Sequence, residues 1–133
     1  QLYKVKTKIV TDFDPSNLVA TRETLRELII SSLTIEYEDY GYVSYLYELA
    51  AQERDLPVEE LKLYAKVALD ELLILKWDWS ELDDESLLAI HSFLQEPQSI
   101  TLNVDPSRSF KLKDIPFYET NAIPGLLNLS LRN

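Results

Sequence analysis

The chain has 133 residues, of which 46% are hydrophobic, carries a formal net charge of −10 and contains no cysteine. Its length and apolar content predict one globular domain over residues 1–133, and the missing cysteines exclude disulfides, thiolate nucleophiles and cysteine-bound metals. No run approaches the roughly 18 apolar residues of a membrane helix, and the N-terminus lacks the apolar block of a signal peptide. We therefore expect a cytoplasmic protein with no membrane partner.

The carboxylates are concentrated in two segments, residues 34–60 and 70–85. A negative field of this kind repels phosphate backbones and attracts basic proteins. We therefore expect a basic protein partner and no direct binding of nucleic acid. The alternative is that the acidity serves only solubility, which acidic surfaces favour.

Residues 3–9 alternate lysine with mostly apolar side chains, which is the period of a strand, and lysines are typical of a strand at the edge of a sheet. Asp14 followed by Pro15 is a pair that starts helices. Apolar residues continue from there at helical spacing. The sequence therefore predicts an edge strand, then a first helix that ends near Ser32 or Thr34.

A second helix is predicted over Tyr42–Arg54. With residues placed 100° apart, one apolar face should pack on the core, while Tyr45 and Tyr47 fall on its opposite rims. The centre of that face is formed by Tyr42, Leu46, Leu49 and Ala50. Residues 36–40, rich in tyrosine and carboxylate, are expected in the turn before the helix, to which Gly41 gives flexibility.

A third helical stripe begins at Val58, and after Leu73 the period changes from helical to two. Residues 74–79 are therefore predicted to form a strand directly after this helix. A fourth helix is predicted over Asp84–Gln95, with Asp84 as its N-cap.

Residues 100–104 and 110–112 alternate in polarity around a turn, which predicts a hairpin. Residues 117–119 are predicted as a strand, and the last residues as a strand or a docked coil. The expected class is α+β, a helical domain with a small antiparallel sheet.

The segment VEELKLYAKVALDELLILKWDW resembles the last helix and first wing strand of winged-helix domains, and FYETNAIPG is similar to the strand and turn after the wing. The resemblance implies a winged-helix-like fold in which the fourth helix is inserted between the wing strands. One departure is that Leu75 stands near the place of a common glycine.

The third helix of a DNA-reading winged helix needs a basic face, but here Lys62 and Lys66 are outnumbered by carboxylates. Winged-helix-like architecture with an acidic, tyrosine-rich surface is instead similar to some immunity proteins of bacterial toxin systems. That resemblance implies an inhibitor that neutralises a basic toxin or effector, such as a nuclease. An adaptor or transcriptional regulator that acts through protein contacts is the alternative. A DNA-binding regulator would need a basic patch made from Lys4, Lys6, Lys8, Arg22, Arg26 and Lys111.

We expect no enzyme activity, no cofactor and no metal. His91 lies on the inner face of a predicted helix, and nothing places Ser86 or Ser92 in a nucleophile turn with it and Asp84. Two glycines are too few for a phosphate-binding loop, and the oxygen-rich residues 78–85 lack the central glycine of a calcium loop.

Recognition of another protein remains. Aromatic side chains supply contact area with little entropy to lose, and surrounding acids steer a basic partner. The candidate surface combines residues 36–40 with whichever of Trp77 and Trp79 is exposed. The predicted partner-binding residues are Glu36, Tyr37, Glu38, Asp39, Tyr40, Tyr45, Asp78, Trp79, Glu81, Asp83 and Asp84.

Overall fold

The computed structural model describes residues 1–11 and 26–133. The strands are β1 (Tyr3–Thr11), β2 (Ile29–Asp39), β3 (Ser99–Val104), β4 (Phe110–Lys111) and β5 (Leu129–Arg132). The α-helices are α1 (Tyr42–Arg54), α2 (Val58–Asp70), α3 (Asp84–Gln95) and the short α4 (Ile123–Leu126). A π-helical segment, Glu71–Lys76, continues α2, and 3-10 segments span Leu112–Phe117 and Thr120–Ala122. The predicted α+β class with an antiparallel sheet is confirmed.

The long strand β2 organises the sheet. The strand order is β1-β2-β3-β5, every described pairing is antiparallel, and β4 pairs with the first two residues of β2. Among the described residues only β2 pairs with β1, so the predicted edge strand is confirmed.

The alternation along each strand gives the sheet two different faces. One face carries apolar side chains such as Ile35 and Leu102, which lie opposite each other, and α3 covers part of it. The other face is polar and carries the lysines of β1 and, from β2, Glu36 and Glu38. The main cluster of buried residues lies near the start of β2 and consists of Leu28, Ile30, Val104, Phe110 and Leu127.

Ser86 joins α3 to the last strand. It is fully buried, and its hydroxyl oxygen accepts hydrogen bonds from the Leu131 N–H at 2.9 Å and from Arg132 Nη1 at 3.1 Å. The Ser86 N–H in turn donates to Asp83 Oδ1 at 2.7 Å. The helix predicted over Asp84–Gln95 is therefore confirmed, but its N-cap is Asp83 and not Asp84, because the extended backbone of Asp83 lets its carboxylate reach the third following N–H.

The predicted first helix is wrong in its last part, since Ile29–Asp39 is strand β2. Residues 14–25 of that prediction lie outside the described residues. Ile29 and Leu33 lie four residues apart, which fits a helix, but Leu33, Ile35 and Tyr37 alternate with the period of a strand, and β1 and β3 are both present to pair with them. The pairing partners therefore decided the conformation.

The predicted strand at residues 74–79 is also wrong. The helix continues to Lys76 in π form, and the N–H groups of Trp77 and Trp79 donate to the carbonyl oxygens of Leu72 and Leu73 at 2.9 and 2.8 Å. These backbone groups are thus satisfied without a neighbouring strand. Where the winged-helix resemblance implies a first wing strand, this chain has the end of the π-helical segment and then irregular chain through Trp79.

The predicted hairpin is wrong as well, because β4 pairs with Ile29 and Ile30 of β2 and not with β3. Residues 117–119 do not form a strand; Phe117 ends a 3-10 helix that contains Pro116, which has no N–H to donate to a sheet. The chain end does form a strand, β5, which pairs with β3. No helix in the described ranges is long and apolar enough to cross a membrane.

The N-cap of α3 should make stability depend on acid pH. Hydrogen bonds from Ser86, through its side chain and its backbone, and from Arg132 lower the pKa of Asp83 from 3.8 to about 2. A lowered pKa means that the charged group stabilises the fold above about pH 4 and that this contribution is lost as the pH falls through about 2. We expect Asp83→Ala to lower the free energy of unfolding by about 1 kcal/mol at pH 7 and by less at pH 2, as measured by urea unfolding.

The control is Asp84→Ala, which changes a carboxylate in the same turn that is not the cap. Its effect should stay within about 0.5 kcal/mol. Equal effects of the two substitutions at pH 7 would contradict the assignment of the cap.

Candidate functional site

The carboxylate of Asp39 connects the end of β2 to the start of α1. Its Oδ1 accepts hydrogen bonds from the Tyr37 hydroxyl at 2.8 Å and the Val43 N–H at 3.1 Å, and its Oδ2 accepts one from the Gly41 N–H at 3.1 Å. Gly41 has a φ of 114°, which favours glycine. The N–H groups of Tyr40, Gly41 and Val43 are therefore satisfied where the chain reverses, and α1 leaves the sheet in one defined direction.

The predicted turn at residues 36–40 is mostly strand. Residues 36–39 complete β2, and only Tyr40 and Gly41 form the turn. Glu38 accepts a hydrogen bond from the Tyr40 hydroxyl, while Glu36 is exposed. The carboxylate of Asp39 has a structural role, because its oxygens already accept hydrogen bonds from within the chain.

Tyr37 is a supporting residue beneath the surface. Its ring stacks on Tyr3 at 5.9 Å between centroids and meets the edge of Phe93 at 5.7 Å. Burial raises the pKa of Tyr37 to about 12, and the hydrogen bond to Asp39 acts in the same direction. The Tyr37 phenol is therefore a neutral donor at physiological pH.

The helix α1 has the predicted bounds, but the face predicted to pack on the core is wrong. Tyr42, Leu46 and Leu49 are 36–42% exposed, and no residue of α1 is fully buried. The inner side instead carries Tyr47, whose hydroxyl donates to the Leu94 carbonyl oxygen of α3 at 3.1 Å. The half-buried residues of the helix are Val43, Tyr47, Ala50 and Ala51.

An exposed surface rich in tyrosine results from this orientation. The rings of Tyr3 and Tyr42 lie 5.5 Å apart, and Tyr45 is one helical turn beyond Tyr42 and 54% exposed. The Tyr40 N–H donates to the Leu2 carbonyl oxygen at 2.8 Å, which holds the turn against the start of β1. We define the tyrosine surface as the exposed residues Tyr3, Tyr40, Tyr42, Tyr45, Leu46 and Leu49.

The sequence had predicted only Tyr40 and Tyr45 of this surface as partner-binding. Tyr42, Leu46 and Leu49 form an apolar face that the sequence pattern shows, but the pattern alone predicts that this face packs on the core. Tyr3 reaches the surface because it lies across from Asp39 in the sheet register. No local pattern in the sequence reports that pairing.

The structure does not bring the second predicted group next to the first. Asp83 caps the N-terminal end of α3, whereas the Asp39 N–H donates at 2.7 Å to the carbonyl oxygen of Gln98, which lies beyond its C-terminal end. A helix of 12 residues is about 18 Å long. The carboxylates at the start of α3 are therefore separate from the tyrosine surface.

Several residues of this second group have structural contacts of their own. The indole N–H of Trp79 donates to the Thr120 carbonyl oxygen at 2.8 Å, and its ring is 4.9 Å from Trp77; both tryptophans are half-buried. Asp83 also pairs with Arg132 at 3.3 Å. The exposed members of the group are Asp78, Glu81, Asp83 and Asp84.

His91 and Ser86, which were weighed for catalysis, each have a structural partner. His91 is half-buried, and its Nε2 is 2.7 Å from Asp70 Oδ1, while the Ser86 hydroxyl is committed to the contact with β5. In the parts of the chain that the structure describes, no group of three or more histidine, aspartate and glutamate side chains is placed to hold a metal ion.

Asp39 should matter for stability even though it was predicted to bind a partner. We expect Asp39→Ala to lower the free energy of unfolding by about 1–2 kcal/mol, since three donors lose their acceptor. The matched control is Glu36→Ala, which removes an exposed carboxylate from the same strand and should change stability by about 0.5 kcal/mol or less. Urea unfolding measures both, and equal losses would contradict the role of Asp39.

Comparison with known proteins relates the chain to a protein family. No curated protein and no solved structure matches the chain. Residues 4–133 match the model of a protein family whose description reads "Uncharacterized protein", and the chain therefore belongs to that family.

Proposed function

We propose that the protein is an immunity-type inhibitor that binds a basic effector or toxin through the tyrosine surface. The observation that carries the proposal is the orientation of α1, whose larger apolar side chains point outward and join Tyr3 of β1. Contiguous exposed apolar surface of this kind is typical of protein-binding sites. Tyrosine is also enriched among the residues that dominate binding energy.

Two rings of the tyrosine surface, those of Tyr3 and Tyr42, are held by ring contacts before any partner binds. The ring of Tyr42 contacts the ring of Tyr3, which stacks on Tyr37. The Tyr37 hydroxyl donates a hydrogen bond to Asp39. Rings that already have their bound orientation lose little conformational entropy on association. The stacked arrangement therefore supports tight binding from a small number of side chains.

The charge of the molecule favours a basic partner. The net charge is −10, and Glu53 follows Leu49 by four residues, so it lies on the same face of α1. Glu38 borders the surface through its hydrogen bond with Tyr40. Such an inhibitor would act in the cytoplasm by occupying the site where a nuclease, for example, binds its nucleic acid.

An adaptor or regulator that assembles protein complexes could use the same surface. The two functions differ in what happens to the partner: an inhibitor abolishes its activity, whereas an adaptor leaves it intact. An immunity gene should also lie beside its toxin gene, and its deletion should be lethal only when that toxin gene is present. Normal growth after deletion with an active toxin would reject the immunity function.

The tyrosine surface should supply most of the binding energy. We expect Tyr45→Ala to weaken binding of the partner captured from the native host by at least about tenfold, which corresponds to about 1.4 kcal/mol. The matched control is Tyr64→Ala on α2, since Tyr64 is 50% exposed and lies outside the tyrosine surface. Titration calorimetry with the purified partner measures both, and equal losses would locate the site elsewhere.

Charge at the border of the surface should control the association rate. We expect added salt to slow association and Glu53→Lys to slow it at low salt, because a positive charge would then repel a basic partner. The control is Glu71→Lys, which makes the same change at an exposed position of the π-helical segment, outside the tyrosine surface. A stopped-flow measurement that gives equal rates for the two variants would contradict steering through this face.

A further inference from the structure

The strand β1 has backbone groups that point away from the sheet. The Tyr40 N–H donates to the Leu2 carbonyl oxygen, and in an antiparallel pair such hydrogen-bonded positions recur at every second residue. In the β1–β2 register these positions are Lys4, Lys6 and Lys8. The N–H and C=O groups of the alternate residues, Val5, Thr7 and Ile9, therefore point outward from the sheet.

The side chains along this edge are sorted by face. Lys4, Lys6 and Lys8 are exposed on the polar face at a spacing of about 7 Å, which is two residues of strand. None of their ammonium groups forms an ion pair within the described part of the chain. On the other face Val5 and Ile9 are 50% and 41% exposed and continue from Tyr3.

A second copy of the chain is a poor partner for this edge. Residues directly opposite in an antiparallel pair lie on the same face, so two β1 strands with matched apolar faces would place lysine opposite lysine. The other register would place the lysine face of one copy beside the apolar face of the other. Repulsion between the lysines disfavours the first arrangement, and contact between charged and apolar side chains disfavours the second.

We propose that the β1 edge binds an extended segment of a partner protein in which carboxylates alternate with apolar residues. Such a segment would add a strand to the sheet, with its carboxylates beside the lysines and its apolar side chains beside Val5 and Ile9. Strand β2 already shows this complementarity from the inner side. Its Glu36 and Glu38 lie across from Lys6 and Lys4, and they alternate with Ile35 and Tyr37.

This site goes beyond the proposed function. It binds through backbone groups of β1, and it selects an acidic segment, whereas the tyrosine surface is proposed to bind a basic partner. A partner could engage it without contacting α1. The two proposals can therefore fail separately.

The test uses the full chain and two synthetic peptides as long as β1, one alternating glutamate with valine and the other alternating lysine with valine. We expect the glutamate peptide to bind at least about tenfold more tightly, since it alone matches the lysines. Binding should protect the amide protons of Val5, Thr7 and Ile9 from exchange and leave those of Lys4, Lys6 and Lys8 as they were. Equal binding of the two peptides, or no new protection at the outward amides, would overturn the proposal.

Variants separate backbone pairing from simple charge attraction. Thr7→Pro removes an outward N–H that β2 does not use, so the sheet should persist while the glutamate peptide binds at least about tenfold more weakly. Thr7→Val keeps the N–H and should bind like the unsubstituted protein, and Lys6→Glu should also weaken binding. Equal binding by Thr7→Pro and Thr7→Val would overturn the proposal, as would a dimer in sedimentation that Thr7→Pro abolishes. Tyr45→Ala should bind the peptide normally, which separates this edge from the tyrosine surface.

Discussion

The three hydrogen bonds accepted by Asp39 set the geometry on which the candidate site depends. They join the hydroxyl of Tyr37 in the sheet to the N–H groups that open α1, so that one carboxylate fixes a strand end, a ring and a helix start together. Gly41 supplies the positive φ that lets the chain turn between them. The direction of α1, and with it the exposure of Tyr42 and Tyr45, follows from this connection.

The packing of α1 against α3 then decides which of its faces meets water. Tyr47 turns inward because its hydroxyl finds the Leu94 carbonyl oxygen, and the nearby alanines leave room for the helices to lie close. The larger side chains Leu46 and Leu49 consequently remain outside. Exposed apolar area costs about 25 cal/mol for each Å² that stays in water. A partner that covers this face would recover that free energy, which is why we place binding there.

Two surfaces of different character meet at Tyr3. The tyrosine surface extends from it along α1, and the β1 edge extends from it along the sheet with three lysines on its polar side. A chain of net charge −10 can still present a local basic row, because salt screens exposed charges beyond a Debye length of about 8–10 Å. The electrostatic interaction of a bound strand therefore depends more on the closely spaced lysines beside it than on the net charge of the whole chain.

The sequence alone determined the elements whose signals are local. The alternation of β1, the bounds of α1 and the bounds of α3 follow from period and breakers within each segment, and the structure has all three. The sequence alone could not determine whether residues 29–34 and 74–79 form a helix or a strand, because short apolar runs there fit either period. The conformation depends on whether another strand is present to pair with the segment. The same reason applies to the candidate site. Periodicity showed that α1 has an apolar face, but whether that face is buried depends on side chains such as Tyr47 and Leu94 that are distant in sequence, and only the tertiary structure brings them together.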